Sequence, residues 1–209
     1  MGAELVFFPE LSLTGYDPGQ AESLAIDQND PGLDIFQRVA DTTNVLVGIG
    51  FPLAGTVGVQ IAMAWFTPGE PRRIYAKQFL HADETRYFVP GQASLMLEWG
   101  GLKLAPAICY ESLLDAHVEA AAAAGADLYL ASVAKSEAGL RKADLHYPKI
   151  ASRHGLPVVM ANSTGPCGDF MAAGGSAAWN ARGRCLARLG GESGGILVSE
   201  YERICPRDD

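Results

Sequence analysis

Apolar runs bounded by turn residues recur along the chain at LVFF (5–8), VLVGIGF (45–51), VQIAMAWF (59–66), RIYAKQ (73–78), LKLAPAI (102–108), LYLASV (128–133) and PVVMAN (157–162). Short runs rich in β-branched and aromatic residues predict strands. Polar punctuation at FTPGEPRRI, between two of them, predicts a hairpin turn, so at least one strand pair should be antiparallel. Helical patterns fit 32–42 (GLDIFQRVADT), 112–124 (SLLDAHVEAAAAA) and 141–154 (RKADLHYPKIASRH), the last weakened by Pro148. Near the C-terminus, GGSAAWNARGRCLARL followed by GGILVSEY predicts a further hairpin or meander. Strands mixed with helices, some joined by hairpins, give an α/β or α+β layered domain.

Length changes this picture little. At 209 residues the chain fits one domain, 1–209, with room for a sizeable core. The first strand starts almost at residue 1, and so apolar a strand wants neighbours on both sides. Either it is an edge strand, or a leading strand and helix are missing. A net charge of −8 without any Lys/Arg cluster argues against nucleic acid, whose phosphates demand clustered cations. No stretch approaches the ~20 apolar residues of a membrane span, and the N-terminus lacks the features of a signal peptide. Cysteines at 109, 167, 185 and 205 have no CxxC spacing, and no pair of the histidines at 81, 117, 146 and 154 has ligand spacing. No metal or cofactor is expected, and a reducing cytoplasm is the default compartment.

Candidate chemistry lies at strand ends, where open α/β sheets bind their ligands. The strand ending at Ile108 delivers Cys109, and Ser112 with Asp115 matches the S-x-x-[DE] signature of a helix start. A thiol at such a corner, near a helix N-terminus, is shifted toward the thiolate. Glu10 follows LVFFP, and Lys77 ends RIYAK. Singly, each residue reads more simply as a buried thiol or a solvated charge; together they form a carboxylate, an ammonium and a thiol. Glu111 reads as a helix-terminal capping group or a substrate contact, and His146 as structural or pocket-lining. Cys167 reads as a loop thiol on the substrate side or merely exposed.

Three segments, FFPELSLTGYDP, YAKQFLHADETRYFVPG and LAPAICYESL, resemble in order the signature segments of the nitrilase superfamily, the carbon–nitrogen hydrolases. MANSTGP and GDFMAAGGSAAWNARGRCLA extend the likeness over nearly the whole chain. The resemblance implies an αββα sandwich, here apparently lacking the usual first strand and helix, and a homo-oligomer. It implies a Glu-Lys-Cys triad of Glu10, Lys77 and Cys109, with Glu84 as a second glutamate; the simpler reading of Glu84 is a surface carboxylate paired with Arg86 or Lys77. Lys77 and the Tyr110 backbone N–H would bind an oxyanion, and Tyr16, Glu111, Ser132 and Asn162 would bind substrate. The implied reaction is hydrolysis of a small linear amide or N-carbamoyl compound through a thioester. A nitrile hydrolase and a non-catalytic binding protein of the same fold are the alternatives.

Overall fold

A computed structural model describes residues 2–191 and 195–201 and divides after Leu95 into two units, each built on its own sheet. Cys205 lies outside the described residues.

In the first unit, β1 (Leu5–Phe7), β2 (Leu46–Ala54), β3 (Val59–Phe66) and β4 (Arg73–Ala76) lie side by side in that order, so β1 is an edge strand. β2 to β4 form an antiparallel meander, and the expected hairpin joins β3 to β4, with Glu70 N–H donating to Thr67 O at 3.1 Å. β1 is parallel to β2. A parallel pair needs a crossover, and α1 (Ala21–Leu24) and α2 (Asp34–Thr43) lie on it.

Alternation along β2 explains both faces of this sheet. Val47, Ile49 and Phe51 join Ala62, Ala64 and Phe66 of β3 in a core with Leu33 and Ala40. Gly48 and Gly50 face the other way. A Cβ on Gly48 would sit 2.5 Å from the Trp65 ring, and one on Gly50 would sit 2.6 Å from Leu11 N. These two positions need glycine so that the sheet can be approached closely, by a ring at one and by the 9–11 backbone at the other.

The second unit runs β5 (Leu97–Trp99), β6 (Leu102–Ile108), α3 (Asp115–Ala123), β7 (Leu128–Val133), α4 (Glu137–His154) and β8 (Val158–Asn162). The hairpin β9 (Thr164–Cys167) and β10 (Phe170–Ala173) follows, then β11 (Ala177–Trp179) and β12 (Cys185–Arg188). The six-stranded sheet has the order β12-β11-β8-β7-β6-β5, with β6, β7 and β8 parallel. Every residue of β7 is buried, as parallel strands covered on both faces should be. Tyr147, Ile150 and Ala151 of α4 pack with Val158, Met160 and Trp179.

Several expectations need correction. The helix expected at 112–124 begins at Asp115, because residues 109–113 form a 3₁₀ turn and Leu114 is extended. Ser112 caps nothing: its hydroxyl donates to Cys109 O at 2.5 Å and lies 2.7 Å from Tyr147 Oη. α4 starts four residues before Arg141, at a cap where Ser136 Oγ accepts from Gly139 N–H at 3.4 Å, and it runs through Pro148. Cys167, read as a loop thiol, is buried at the end of β9. Residues 195–200 form no strand, against the expectation for GGILVSEY. Among the described residues no helix is long and apolar enough to cross a membrane.

Candidate active site

In the first unit three charged side chains meet under cover. The 9–11 segment leaves β1 and turns sharply, with Leu11 left-handed at a φ of 50° and Ser12 N–H donating to Pro9 O at 3.1 Å. Leu13 N–H then donates to Gly50 O at 2.9 Å, and Ser12 Oγ accepts from Gly50 N–H at 3.2 Å. This stitching fixes Glu10, which is 1% exposed. Lys77 follows β4 and is held on both sides by its own backbone: its N–H donates to Ile61 O at 2.8 Å, and its O accepts from Gly91 N–H at 2.7 Å. Gly91 has to be glycine, since a Cβ there would lie 2.3 Å from Ala76 O.

The Lys77 ammonium donates to Glu10 Oε1 at 2.9 Å and to Glu84 Oε1 at 2.7 Å. Glu84 also accepts from Tyr16 Oη at 3.0 Å and from His81 N–H at 2.7 Å. Of the two simple readings of Glu84, the surface one fails, because the side chain is buried, while the partnership with Lys77 is real. Two carboxylates and one ammonium leave one negative charge in excess within the cluster. Burying an ion is tolerated when its partner and hydrogen bonds are in place, and removing one partner from such a set is strongly destabilising.

In the second unit the centre is Cys109, at the carboxyl end of β6. Its φ of 46° is left-handed, a conformation that costs a non-glycine residue about 1–2 kcal/mol. What holds it there is visible in the surrounding bonds. Glu111, fully buried, accepts the Ile108 N–H on Oε1 at 2.7 Å, and Ser112 ties Cys109 O to Tyr147. The strain is therefore a property of the corner and aims the thiol off the strand end.

Cys109 Sγ donates to Ala134 O at 3.6 Å, just past β7. Lys135, 4% exposed, brings its Nζ to 3.9 Å from that sulfur and to 3.5 Å from Cys109 O. Asn162, at the end of β8, clamps the segment: its Oδ1 accepts Lys135 N–H at 2.7 Å, and its Nδ2 donates to Lys135 O at 3.2 Å and to Gly174 O at 2.6 Å. Ser132 is fully buried on β7, in register with Ile108. Tyr110 follows the cysteine in the 3₁₀ turn, half-buried.

Behind the corner, His117 Nδ1 lies 2.7 Å from Tyr129 Oη, and Nε2 lies 3.8 Å from Glu111 Oε1. Burial pushes the His117 pKa down to about 4, so at neutral pH the Glu111 contact involves a neutral ring and is no ion pair. Tyr129 is held well above its ordinary value, first by burial and then by the Glu111 charge. Among the described residues no group of three or more His, Cys, Asp or Glu could hold a metal ion.

Of the site residues expected from the sequence, the structure brings Glu10, Lys77, Glu84 and Tyr16 together in the first unit. In the second unit it places Cys109, Tyr110, Glu111, Ser132 and Asn162 at the carboxyl ends of neighbouring strands or in the turn that follows; sequence reasoning expected all of these residues in a single site. It missed Lys135, naming only Ser132 nearby as a substrate contact. The available signal was a lone cation in ASVAKSEAG, directly after a strand buried end to end.

The family model described as carbon-nitrogen hydrolase matches residues 1–203, and the chain belongs to that family. Among solved structures, a mutant of the amidase from Nesterenkonia sp. AN1, with the acetamide moiety of fluoroacetamide added covalently at its active-site cysteine, is 29% identical. That match has a TM-score of 0.81 and covers 92% of this chain and 76% of that one. A second mutant of the same amidase, in complex with butyramide, is 29% identical at a TM-score of 0.81, with the same two coverages. A glutamine-dependent NAD(+) synthetase from Aquifex aeolicus (strain VF5) is 33% identical over 116 residues, 51% of this chain. The chain's match spans only 20% of that relative's length. The fold is the α/β fold of the nitrilase-superfamily amidases, and the enzyme class is that of the thiol-dependent carbon–nitrogen hydrolases.

Proposed function

We propose that this protein hydrolyses a small linear amide or an N-carbamoyl compound, with Cys109 as nucleophile, Glu10 as general base and acid, and Lys77 as oxyanion donor, all within one catalytic domain. The observation that carries the reading is the Cys109 corner: a thiol held left-handed at the carboxyl end of a buried parallel strand, in a chain of the carbon–nitrogen hydrolase family. The amidase from Nesterenkonia sp. AN1, with its covalent acetamide adduct at a cysteine and its butyramide complex, supports a small aliphatic amide as the substrate class.

In this reading Glu10 takes the thiol proton, the sulfur then attacks the carbonyl carbon, and the C=O π electrons move onto oxygen. Lys77 and the Tyr110 N–H stabilise that oxyanion, a contribution of about 3–4 kcal/mol per well-placed donor. On collapse the C–N bond breaks, Glu10 returns its proton to the leaving nitrogen, and a thioester remains on Cys109. Water, deprotonated by the same carboxylate, then displaces the sulfur and releases the acid. Glu84, which also accepts from Tyr16, supports this scheme by giving the Lys77 ammonium a second carboxylate partner.

A panel of small amides, N-carbamoyl amino acids and nitriles, assayed for ammonia release with Cys109→Ala as the blank, tests the proposal. The expected result is turnover of at least one amide or carbamoyl compound, lost by more than about 10⁴-fold in the mutant. Equal release by both proteins rejects it.

A further inference from the structure

We infer that Lys135 is a second catalytic cation, which holds Cys109 as a thiolate in the resting enzyme. This deepens the reading of the site given above and rests on it for its meaning in turnover. It is carried by geometry in the second unit alone.

Lys135 is almost fully buried, and in that unit no carboxylate among the described residues forms an ion pair with it. A buried ammonium without an anion is costly, so its surroundings should supply one. The polar atoms that it meets are both on Cys109: the carbonyl oxygen at 3.5 Å and the sulfur at 3.9 Å. The carbonyl is neutral. The sulfur becomes an anion when the thiol loses its proton, and that is the form that attacks an amide.

Placement of the cation is built in. The backbone of Lys135 is pinned on both sides by the Asn162 amide, and its O accepts a further bond from Ala173 N–H at 2.9 Å. Gly139, in the first turn of α4, lies against the start of the side chain, where a Cβ would come within 3.2 Å of Lys135 Cβ. The backbone and the base of the side chain are thereby fixed on the side of the sulfur.

Other charged or titratable groups of the second unit near this corner do not replace it. Glu111 is negative and its Oε1 is turned to the Ile108 amide. His146 on α4 has its pKa lowered, first by burial, while Asp115 pulls it upward and Lys135 adds to the lowering, so it is mostly neutral at pH 7. Tyr147 Oη lies 2.7 Å from the Ser112 hydroxyl, which donates to Cys109 O. Ala134 O accepts from the neutral thiol and would repel the anion, whereas the Lys135 ammonium favours it.

The test is the pH profile of Cys109 alkylation by iodoacetamide, read by peptide mass in the full chain. In that reaction the sulfur–carbon bond forms, iodide leaves, and the thiol proton has already gone to solvent or base. Wild type is expected to label with a midpoint below the ~8.5 of an ordinary thiol. In Lys135→Met, labelling at pH 7 should fall about tenfold or more as the midpoint rises by about one unit. Lys135→Arg should restore it to within about threefold of wild type. Lys135→Gln serves equally if the methionine variant does not fold, as judged by circular dichroism and thermal midpoint. A neutralised, folded variant with the wild-type profile overturns the inference. Ammonia release by the same wild-type preparation separates the two readings: an inactive enzyme whose labelling still depends on Lys135 rejects the proposed substrates only, whereas an active enzyme indifferent to Lys135 rejects the inference only.

Discussion

The charged cluster of the first unit and the cysteine corner of the second solve opposite problems. Around Lys77, burial of two carboxyl groups and an amine is made tolerable by short bonds among them. Around Cys109, stress lies in the backbone, and one reactive atom is held by hydrogen bonds that are mostly not its own. The first arrangement gains its stability from pairing the ammonium with two carboxyl groups. The second is useful because it is strained. Mutations should therefore hurt stability in one region and relieve it in the other, and that contrast can be broken experimentally.

The largest effect is expected at Lys77. Lys77→Met leaves Glu10 and Glu84 buried without their cation, and urea unfolding at pH 7 should show a loss of about 3–5 kcal/mol. A loss under about 1 kcal/mol would mean that the cluster is solvated enough to need no partner.

Next comes acid sensitivity behind the cysteine. His117 has its pKa depressed from 6.5 to about 4 by burial, so the unfolded chain binds its proton more readily than the folded one. Its contribution is fully present above pH 6.5 and drains away as pH falls toward 4. Between pH 7 and pH 4.5 this single group should account for about 2 kcal/mol of lost stability. His117→Gln should flatten the pH dependence by that amount; parallel curves for mutant and wild type would show that the ring takes up its proton without penalty.

Smallest is the release of strain. Cys109→Gly should raise stability by about 1 kcal/mol while abolishing turnover, because glycine adopts a φ of 46° without steric cost. A destabilised glycine variant would show that side-chain packing of the thiol, and not backbone strain, dominates at this corner.

Much of this contrast was legible in the sequence, for different reasons. β3, β6 and β7 match their expected runs, 59–66, 102–108 and 128–133, because each is a mostly apolar run bounded by turn residues. Glu10 and Lys77 could be singled out because each stands just past a strand, and Glu84 through the family resemblance of its segment. The 3₁₀ turn at 109–113 was not legible: Ser112 and Asp115 imitate a capping signature, and only the tertiary bonds to Cys109 O and Tyr147 divert the hydroxyl. The β9–β10 hairpin was hidden by Gly165, Pro166 and Gly168, which punctuate short strands as if they were loops. Lys135 escaped because a lysine after a strand ordinarily faces water, and its burial depends on Asn162, 27 residues away.

The central claim is that the carboxylate of the first unit serves the thiol of the second in one reaction. Its most direct test is ammonia release by Glu10→Gln with Cys109 intact, on whichever amide the wild type turns over. The account predicts a loss of about 10²–10⁴-fold with the fold retained by circular dichroism. Turnover within twofold of wild type would contradict it.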